Sequence, residues 1–132
     1  MYSKLIEIAE QARNNAYAPY SNFTVGAALL TKNGKIYTGC NVENASFTPT
    51  NCAERTAFFK AISEGEREFE AIAVIGGKQS GMGDFCPPCG VCRQVMLEFC
   101  RPDFKIVLKN YGEIRVCLLS ELIPLNFDKN MI

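Results

Sequence analysis

The chain has 132 residues, of which 48% are hydrophobic. This length and composition are enough for one hydrophobic core, but the chain is too short for two ordinary domains. Fourteen basic residues balance fourteen acidic ones, so the chain lacks the positive excess with which proteins usually bind a polynucleotide. We therefore expect a single domain over residues 1–132 that binds a small or neutral ligand and no nucleic acid.

The first half of the chain is predicted to form a helix, a β-hairpin and a second helix. Residues 1–17 form an amphipathic pattern with one apolar face, made by Leu5, Ile8, Ala9 and Ala12. Strands are predicted over 23–31 and 35–43, because the intervening Asn33-Gly34 pair accepts the positive φ angles of a tight turn. After a loop over 44–51, apolar residues recur at helical spacing from Cys52, and Gly65 is placed to end that helix.

The second half is predicted to complete an α/β sheet. Residues 69–77 form a buried strand, and the Gly-, Ser- and Pro-containing segment 78–88 forms a loop before a helix whose apolar stripe is Val95, Met96 and Phe99. Strands follow over 104–110 and 113–119, and Ser120 is placed to cap a short last helix that Pro124 ends. The order α-β-β-α-β-α-β-β-α predicts a mixed sheet covered by helices on both faces.

The chain contains seven cysteines and no histidine. No secretion signal or membrane-spanning run is evident, so we expect a cytoplasmic protein without a membrane partner, in which thiols serve metals or catalysis more often than disulfides. A zinc site must then use thiolates or carboxylates. A general base near neutral pH must be a carboxylate, a lysine or a metal-activated water.

Three cysteines lie at equal intervals in the segment CPPCGVC, at 86–92. Proline is tolerated at a helix start, so Pro87 and Pro88 predict that a helix begins near Cys89. Cys89 and Cys92 then share one helix face, whereas Cys86 precedes the prolines in extended chain. The second C-x-x-C pair is therefore the better metal pair, although zinc needs at least one more ligand.

Cys52 is the best candidate for that further ligand, because it also opens a predicted helix after a strand. Exposed N–H groups at a helix start favour a thiolate. Three thiolates leave one zinc position open for water, which is typical of catalytic zinc. Glu54 is the candidate proton carrier, and the anionic centre should raise its pKa. Arg55 is a candidate cation to offset the thiolate charge, as is Arg93.

The motifs of this chain resemble those of a known enzyme family. The segments CAE at 52–54 and PCGVCRQ at 88–94 are similar to the zinc motif of nucleoside deaminases. The segments YAPYSNFTVGAALL at 17–30 and GCNVENAS at 39–46 resemble the small cytidine deaminases in particular. With SEL and PLNF near the end, the resemblance covers nearly the whole chain.

The resemblance implies a three-layer α/β/α fold with a five-stranded mixed sheet, one Zn²⁺ per chain, and a homotetramer with active sites at subunit interfaces. It implies hydrolysis of cytidine and 2′-deoxycytidine to the uridine nucleosides with release of ammonia, a step of pyrimidine salvage. Glu54 would pass a proton from water to N3 and then to the departing amine.

The resemblance also implies roles for residues that the patterns alone assign weakly. Asn41 and Glu43 match positions that bind ribose hydroxyls, Phe23 matches an aromatic beside the base, and Phe127 matches an aromatic supplied by a neighbouring subunit. The implied site comprises catalytic Glu54, metal ligands Cys52, Cys89 and Cys92, substrate-binding Phe23, Asn41, Glu43, Ala53 and Phe127, and Arg55 as the charge beside the thiolates.

Two other readings stay open at this point. A blasticidin-type deaminase is a relative of similar length that acts on a cytosine-containing antibiotic, although the Asn41–Glu43 pair favours plain nucleosides. Alternatively, Cys86 joins Cys52, Cys89 and Cys92 in a closed structural Cys₄ zinc site of a binding module, which would have no open position and no use for Glu54.

Overall fold

The computed structural model describes residues 2–78, 81 and 83–132. Its helices and strands follow the predicted order, with two further 3₁₀ turns at Arg13–Asn15 and Lys129–Met131. The elements are α1 (Ser3–Ala12), β1 (Phe23–Thr31), β2 (Ile36–Cys40), α2 (Ala53–Ser63), β3 (Phe69–Lys78), α3 (Gly90–Phe99), β4 (Lys105–Lys109), β5 (Ile114–Leu118) and α4 (Leu119–Leu122).

The five strands form one mixed sheet with the order β2-β1-β3-β4-β5. Neighbouring strands are antiparallel except β3 and β4, which are parallel. A parallel pair needs a crossover connection, and α3 lies in the segment between these two strands. The mixed five-stranded sheet expected from the sequence is confirmed.

Side chains alternate between the two faces of the sheet, and helices cover both. One face packs under α2 and α3, and its core includes Ala27, Leu29, Ala57, Phe58, Ile72, Val74 and Met96. The other packs under α1, and its core includes Leu5, Ala9, Ala28, Ala71, Ala73 and Val107. Because the central strand β3 is buried on both sides, it reads as a continuous apolar run rather than an alternating one. The three-layer α/β/α arrangement is therefore confirmed.

The second strand ends three residues earlier than predicted, so Asn41 to Glu43 lie beyond it. There the backbone leaves the sheet and pairs with two loops: the N–H of Val42 donates to the carbonyl of Asn51 at 3.0 Å, and the N–H of Tyr17 donates to the carbonyl of Asn41 at 3.0 Å. These partners are distant in sequence, so strand patterning did not reveal them.

The apolar face of α1 agrees with the prediction, and one smaller prediction, about α4, is wrong. Leu5, Ala9 and Ala12 are buried, the half-buried Ile8 packs against the same core, and Ile6 is a further buried residue. Ser120 lies inside α4 instead of capping it; the N–H of Leu118 is satisfied by Glu121 Oε1 at 2.8 Å. Met1 of the predicted first helix, and Gln79, Ser80 and Met82 of the predicted loop, lie outside the described residues.

Gly39 lets β2 approach the first turn of α2 closely. A Cβ at this position would lie 2.2 Å from the Ala53 carbonyl oxygen and 2.6 Å from the Ala57 nitrogen. Because both atoms belong to the helix backbone, we expect Gly39→Ala to lower the free energy of unfolding in urea by about 1–3 kcal/mol.

Gly112→Ala is the matched control, since a Cβ there meets nothing within 4 Å. Equal unfolding midpoints for the two variants would contradict the close approach of β2 to α2.

Candidate active site

Two helix N-termini bring three thiols together. Cys52 is the N-cap residue of α2, Cys89 is the N-cap residue of α3, and Cys92 follows in the first turn of α3. The Cys52 and Cys89 sulfur atoms are 3.7 Å apart, and those of Cys89 and Cys92 are 3.6 Å apart. In the described part of the chain, these three residues form the one group of metal-binding side chains whose ligand atoms all lie within 4.8 Å of one another.

The spacing of these sulfur atoms fits zinc. With Zn–S bonds of about 2.3 Å, two corners of a tetrahedral site are about 3.8 Å apart, close to the two distances observed. Thiolates are ligands that zinc accepts, and three of them leave the fourth tetrahedral position without a protein sulfur. The donor set and its geometry therefore suit a zinc ion with an open position.

Cys86 lies outside the three-thiol group. Its sulfur packs over β3, where a Cβ on Gly76 would lie only 2.7 Å from it. Burial, together with the nearby Glu54 and Cys52 charges, raises the pKa of the Cys86 thiol to about 12. Its sulfur is not among the three that lie within 4.8 Å of one another, so the described geometry gives no support to a closed Cys₄ site.

Arg55 is the cation that faces the thiols. Its Nη2 donates to the Cys52 sulfur at 3.3 Å. The pKa of Cys52 is lowered to about 5, first because the Cys92 thiol donates to its sulfur and also because of Arg55. The pKa of Cys92 is raised, because its thiol keeps the proton that it donates to the Cys52 sulfur. Arg93, the other candidate cation, instead donates to the backbone carbonyls of Pro88 and Leu122, at 2.8 and 2.6 Å.

Replacing Arg55 with glutamine should weaken the thiolate site. Loss of a hydrogen-bond partner of a metal ligand typically costs about 10- to 100-fold in metal affinity or activity. We expect a loss of this size in zinc affinity, measured by competition with a chromophoric chelator. The control is Arg101→Gln, because that side chain is 80% exposed and pairs only loosely with Asp103. Unchanged zinc affinity in Arg55→Gln would contradict the role of this contact.

Glu54 lies in the first turn of α2 with only 4% of its surface exposed. Two residues that are two positions apart within a helix do not share a face. Cys52, however, is an N-cap residue with extended φ and ψ, so this restriction does not apply to Cys52 and Glu54. Burial raises the pKa of the Glu54 carboxyl to about 7, and the Cys52 charge acts in the same direction. A carboxyl with such a pKa can both accept and return a proton near neutral pH.

Asn41 and Glu43 lie beyond the end of β2 and hold the start of β1. The Asn41 amide accepts from the Val25 N–H at 2.8 Å and donates to the Phe23 carbonyl at 2.9 Å. The Glu43 carboxylate accepts from the N–H groups of Tyr20 and Ser21 at 3.0 and 3.2 Å. The Ser21 hydroxyl also donates to this carboxylate and holds its pKa below the ordinary value.

Ser21 is a contact that sequence reasoning missed. Its hydroxyl joins Glu43 to the N–H of Phe23, which donates to the Ser21 oxygen at 3.0 Å. The available signal was its position inside the YAPYSNF segment, directly before Phe23. Tyr20, Ser21, Glu43 and Phe47 are among the residues that line a surface cavity of about 400 Å³.

The remaining candidates differ in how much surface they present. Phe23 opens β1 with 36% exposure, whereas Ala53 is fully buried at the start of α2. Phe127 is 62% exposed, and its carbonyl accepts from Gln94 Nε2 on α3 at 2.8 Å. A larger cavity, of about 550 Å³, lies at the C-terminal end of α3, away from the three thiols of the site, and is lined by none of the candidate site residues.

A three-layer α/β/α domain that brings three thiols and a buried carboxyl to two helix N-termini has the arrangement of a zinc-dependent hydrolytic deaminase. The model of the family described as "Cytidine and deoxycytidylate deaminase zinc-binding region" matches residues 1–108, and the chain belongs to this family. Within the described residues, no helix is both long and apolar enough to cross a membrane.

Proteins named cytidine deaminase are similar to this chain over nearly its whole length. One from Halalkalibacterium halodurans is 54% identical over 121 residues, which are 91% of this chain and 89% of that protein. One from Sporosarcina psychrophila is 49% identical over 127 residues, 96% and 90% of the two chains. The crystal structure of cytidine deaminase from Burkholderia pseudomallei matches with a TM-score of 0.88 and 52% identity, covering 96% of this chain and 99% of that one.

The blasticidin-S deaminase of Bacillus cereus is a more distant relative. It is 30% identical over 131 residues, covering 96% of this chain and 92% of that protein. The resemblance to the cytidine deaminase family is confirmed, and the stronger similarity is to the proteins that carry that name.

Proposed function

We propose that this chain is a zinc-dependent cytidine deaminase, which hydrolyses cytidine and 2′-deoxycytidine to uridine and 2′-deoxyuridine and releases ammonia. The observation that carries the proposal is the convergence of three thiols at two helix N-termini, with the buried Glu54 carboxyl in the first turn of one of these helices. The roughly half-identical cytidine deaminases support the choice of substrate.

The metal side of the site uses Cys52, Cys89 and Cys92 to hold one zinc ion per chain. Zinc bound there would supply the Lewis acidity that makes water a nucleophile near neutral pH. Arg55 offsets the negative charge of the thiolates through its contact with Cys52.

Glu54 moves the protons of the reaction. Its carboxylate takes a proton from the attacking water and delivers it to N3 of cytosine as the C4–O bond forms. It then takes the second proton of that water and delivers it to the C4 amino group, which leaves as ammonia when the C–N bond breaks. Burial suits Glu54 to both transfers, because it raises the pKa of the carboxyl to about 7, where both protonation states are accessible near neutral pH.

The substrate side of the site uses Phe23, Asn41 and Glu43, with Ala53 at the adjacent helix start. The contacts to Phe23 and Val25 leave Asn41 one amide N–H, which can donate to a ribose hydroxyl. The Glu43 carboxylate, held as an acceptor by backbone N–H groups, can accept from such a hydroxyl. Phe23 lies beside the base.

The proposed assembly is a cytoplasmic homotetramer of single-domain subunits acting in pyrimidine salvage, with Phe127 reaching a neighbouring subunit's site. Several large apolar side chains support self-association, because they are almost fully exposed in one chain: Phe47, Leu125 and Ile132 at 93%, 106% and 97%.

A substrate panel separates the candidate functions. The zinc-loaded protein is incubated with cytidine, 2′-deoxycytidine, cytidine 5′-monophosphate and blasticidin S, and the absorbance change of the cytosine ring is followed. We expect turnover of both nucleosides to exceed that of the other two compounds. Turnover of blasticidin S without turnover of cytidine would contradict the proposed substrate, and no turnover of any compound would favour a structural zinc module.

A further inference from the structure

Arg13 is a buried arginine outside the site described above. It follows α1 directly and is only 7% exposed. Its Nε donates to the carbonyl and the hydroxyl of Thr24, both at 3.2 Å. Its Nη2 donates to the carbonyls of Lys78 and Gly81, at 3.1 and 2.9 Å, and its Nη1 pairs with Glu10 at 2.9 Å. Burial of a guanidinium is costly, so such a full set of partners marks a position that needs arginine.

These partners lie at the start of β1 and the end of β3, next to the proposed substrate-binding residue Phe23. Phe23 pairs with Lys78 in the register of β1 and β3, and Thr24 pairs with Gly77. Arg13 therefore fixes the first residues of β1 to the last residues of β3 from the α1 face of the sheet. It contacts neither α2 nor α3, the helices that carry the thiols and Glu54, through any of its hydrogen bonds.

Further contacts lead from this junction to Glu43. The ammonium of Lys78, whose carbonyl Arg13 holds, donates to the Ser21 carbonyl at 3.3 Å. Ser21 in turn donates to the Glu43 carboxylate and accepts from the N–H of Phe23. A displacement of the junction would therefore reach both Phe23 and Glu43.

We propose that Arg13 is a positioning residue for substrate binding, which acts by holding the junction of β1 and β3 and, through it, Phe23 and Glu43. This inference rests on the proposed function, because it concerns the same site. Arg13 does not touch the substrate. Lysine cannot replace it, because an ammonium lacks the planar fork that reaches Thr24, Lys78 and Gly81 together.

The test compares Arg13→Lys with Arg67→Gln. Arg67 also donates to two backbone carbonyls, of Ile62 and Glu66, but near the other end of the sheet. Zinc content, thermal unfolding, and KM and kcat for cytidine are measured for both variants and for the unchanged chain. A misplacement of about 1 Å can cost about 100-fold, so we expect Arg13→Lys to raise KM at least about tenfold, with zinc content unchanged and kcat altered much less. Arg67→Gln should keep the KM of the unchanged chain.

A purely structural role for Arg13 predicts a different result, in which Arg13→Lys lowers the unfolding temperature but the folded, zinc-loaded protein keeps the KM of the unchanged chain. That result would overturn the inference. If Arg13→Lys does not fold, the test is made with Thr24→Val, which removes the hydroxyl that accepts from Arg13 but keeps the shape of the side chain. A rise in KM smaller than the tenfold expected for Arg13→Lys supports the inference, and an unchanged KM overturns it. An unchanged chain that leaves cytidine intact contradicts the proposed function itself, so the two failures are distinguishable.

Discussion

The Glu54→Gln variant is expected to keep its zinc and lose cytidine turnover by about 100- to 10,000-fold, the range that a positioned proton carrier contributes. The amide has nearly the shape of the carboxyl, and burial already disfavours the charge at this position. Folding and metal binding should therefore be preserved. Turnover is measured by loss of cytidine absorbance, and zinc by elemental analysis of the same sample.

The matched control for this variant is Glu64→Gln, at the exposed C-terminal end of the same helix. It should retain both zinc and turnover. If Glu54→Gln turns over cytidine at a rate close to that of the control, another group moves the protons and the assignment of Glu54 is wrong.

The Cys89→Ser variant is expected to lose zinc, whereas Cys86→Ser should keep it. Cys89 lies within 3.7 Å of both other thiols, while the Cys86 sulfur packs over Gly76. Zinc stabilises the folded chain by about 4 kcal/mol when its free concentration is 1,000 times the dissociation constant. The Cys89→Ser variant should lose most of this stabilisation by zinc. Urea unfolding with and without zinc measures the difference.

Equal loss of zinc from Cys86→Ser and Cys89→Ser would mean that Cys86 is a ligand. The site would then be a closed Cys₄ centre, and the catalytic assignment would fail with it.

The residues of the three-thiol group were predictable from the sequence because local signals mark two helix starts. Pro87 and Pro88 place Cys89 at the beginning of a helix, and the change of period after residue 51 does the same for Cys52. The C-x-x-C spacing puts Cys92 on the same side as Cys89. These signals are local, whereas the meeting of Cys52 with Cys89, 37 residues later in the chain, depends on the α/β topology that brings both helix starts together.

Contacts between residues distant in sequence limited the rest of the prediction. The strand before Asn41 ends early because Val42 pairs with Asn51 and because Tyr17 bonds to Asn41, and no alternation of side chains reveals such pairing. The amphipathic pattern of residues 1–17 gives no signal for the buried Arg13, because two of its partners lie 65 and 68 residues away. The proposed role of Phe127 in a neighbouring subunit's site depends on contacts beyond one chain and stays a prediction.

Titration of zinc into the metal-free protein, with cytidine present, tests the central claim most directly. Uridine and ammonia should form in equal amounts, at a rate that rises with added zinc and stops rising at one zinc per chain. A protein that binds one zinc per chain and leaves cytidine unchanged would contradict the account.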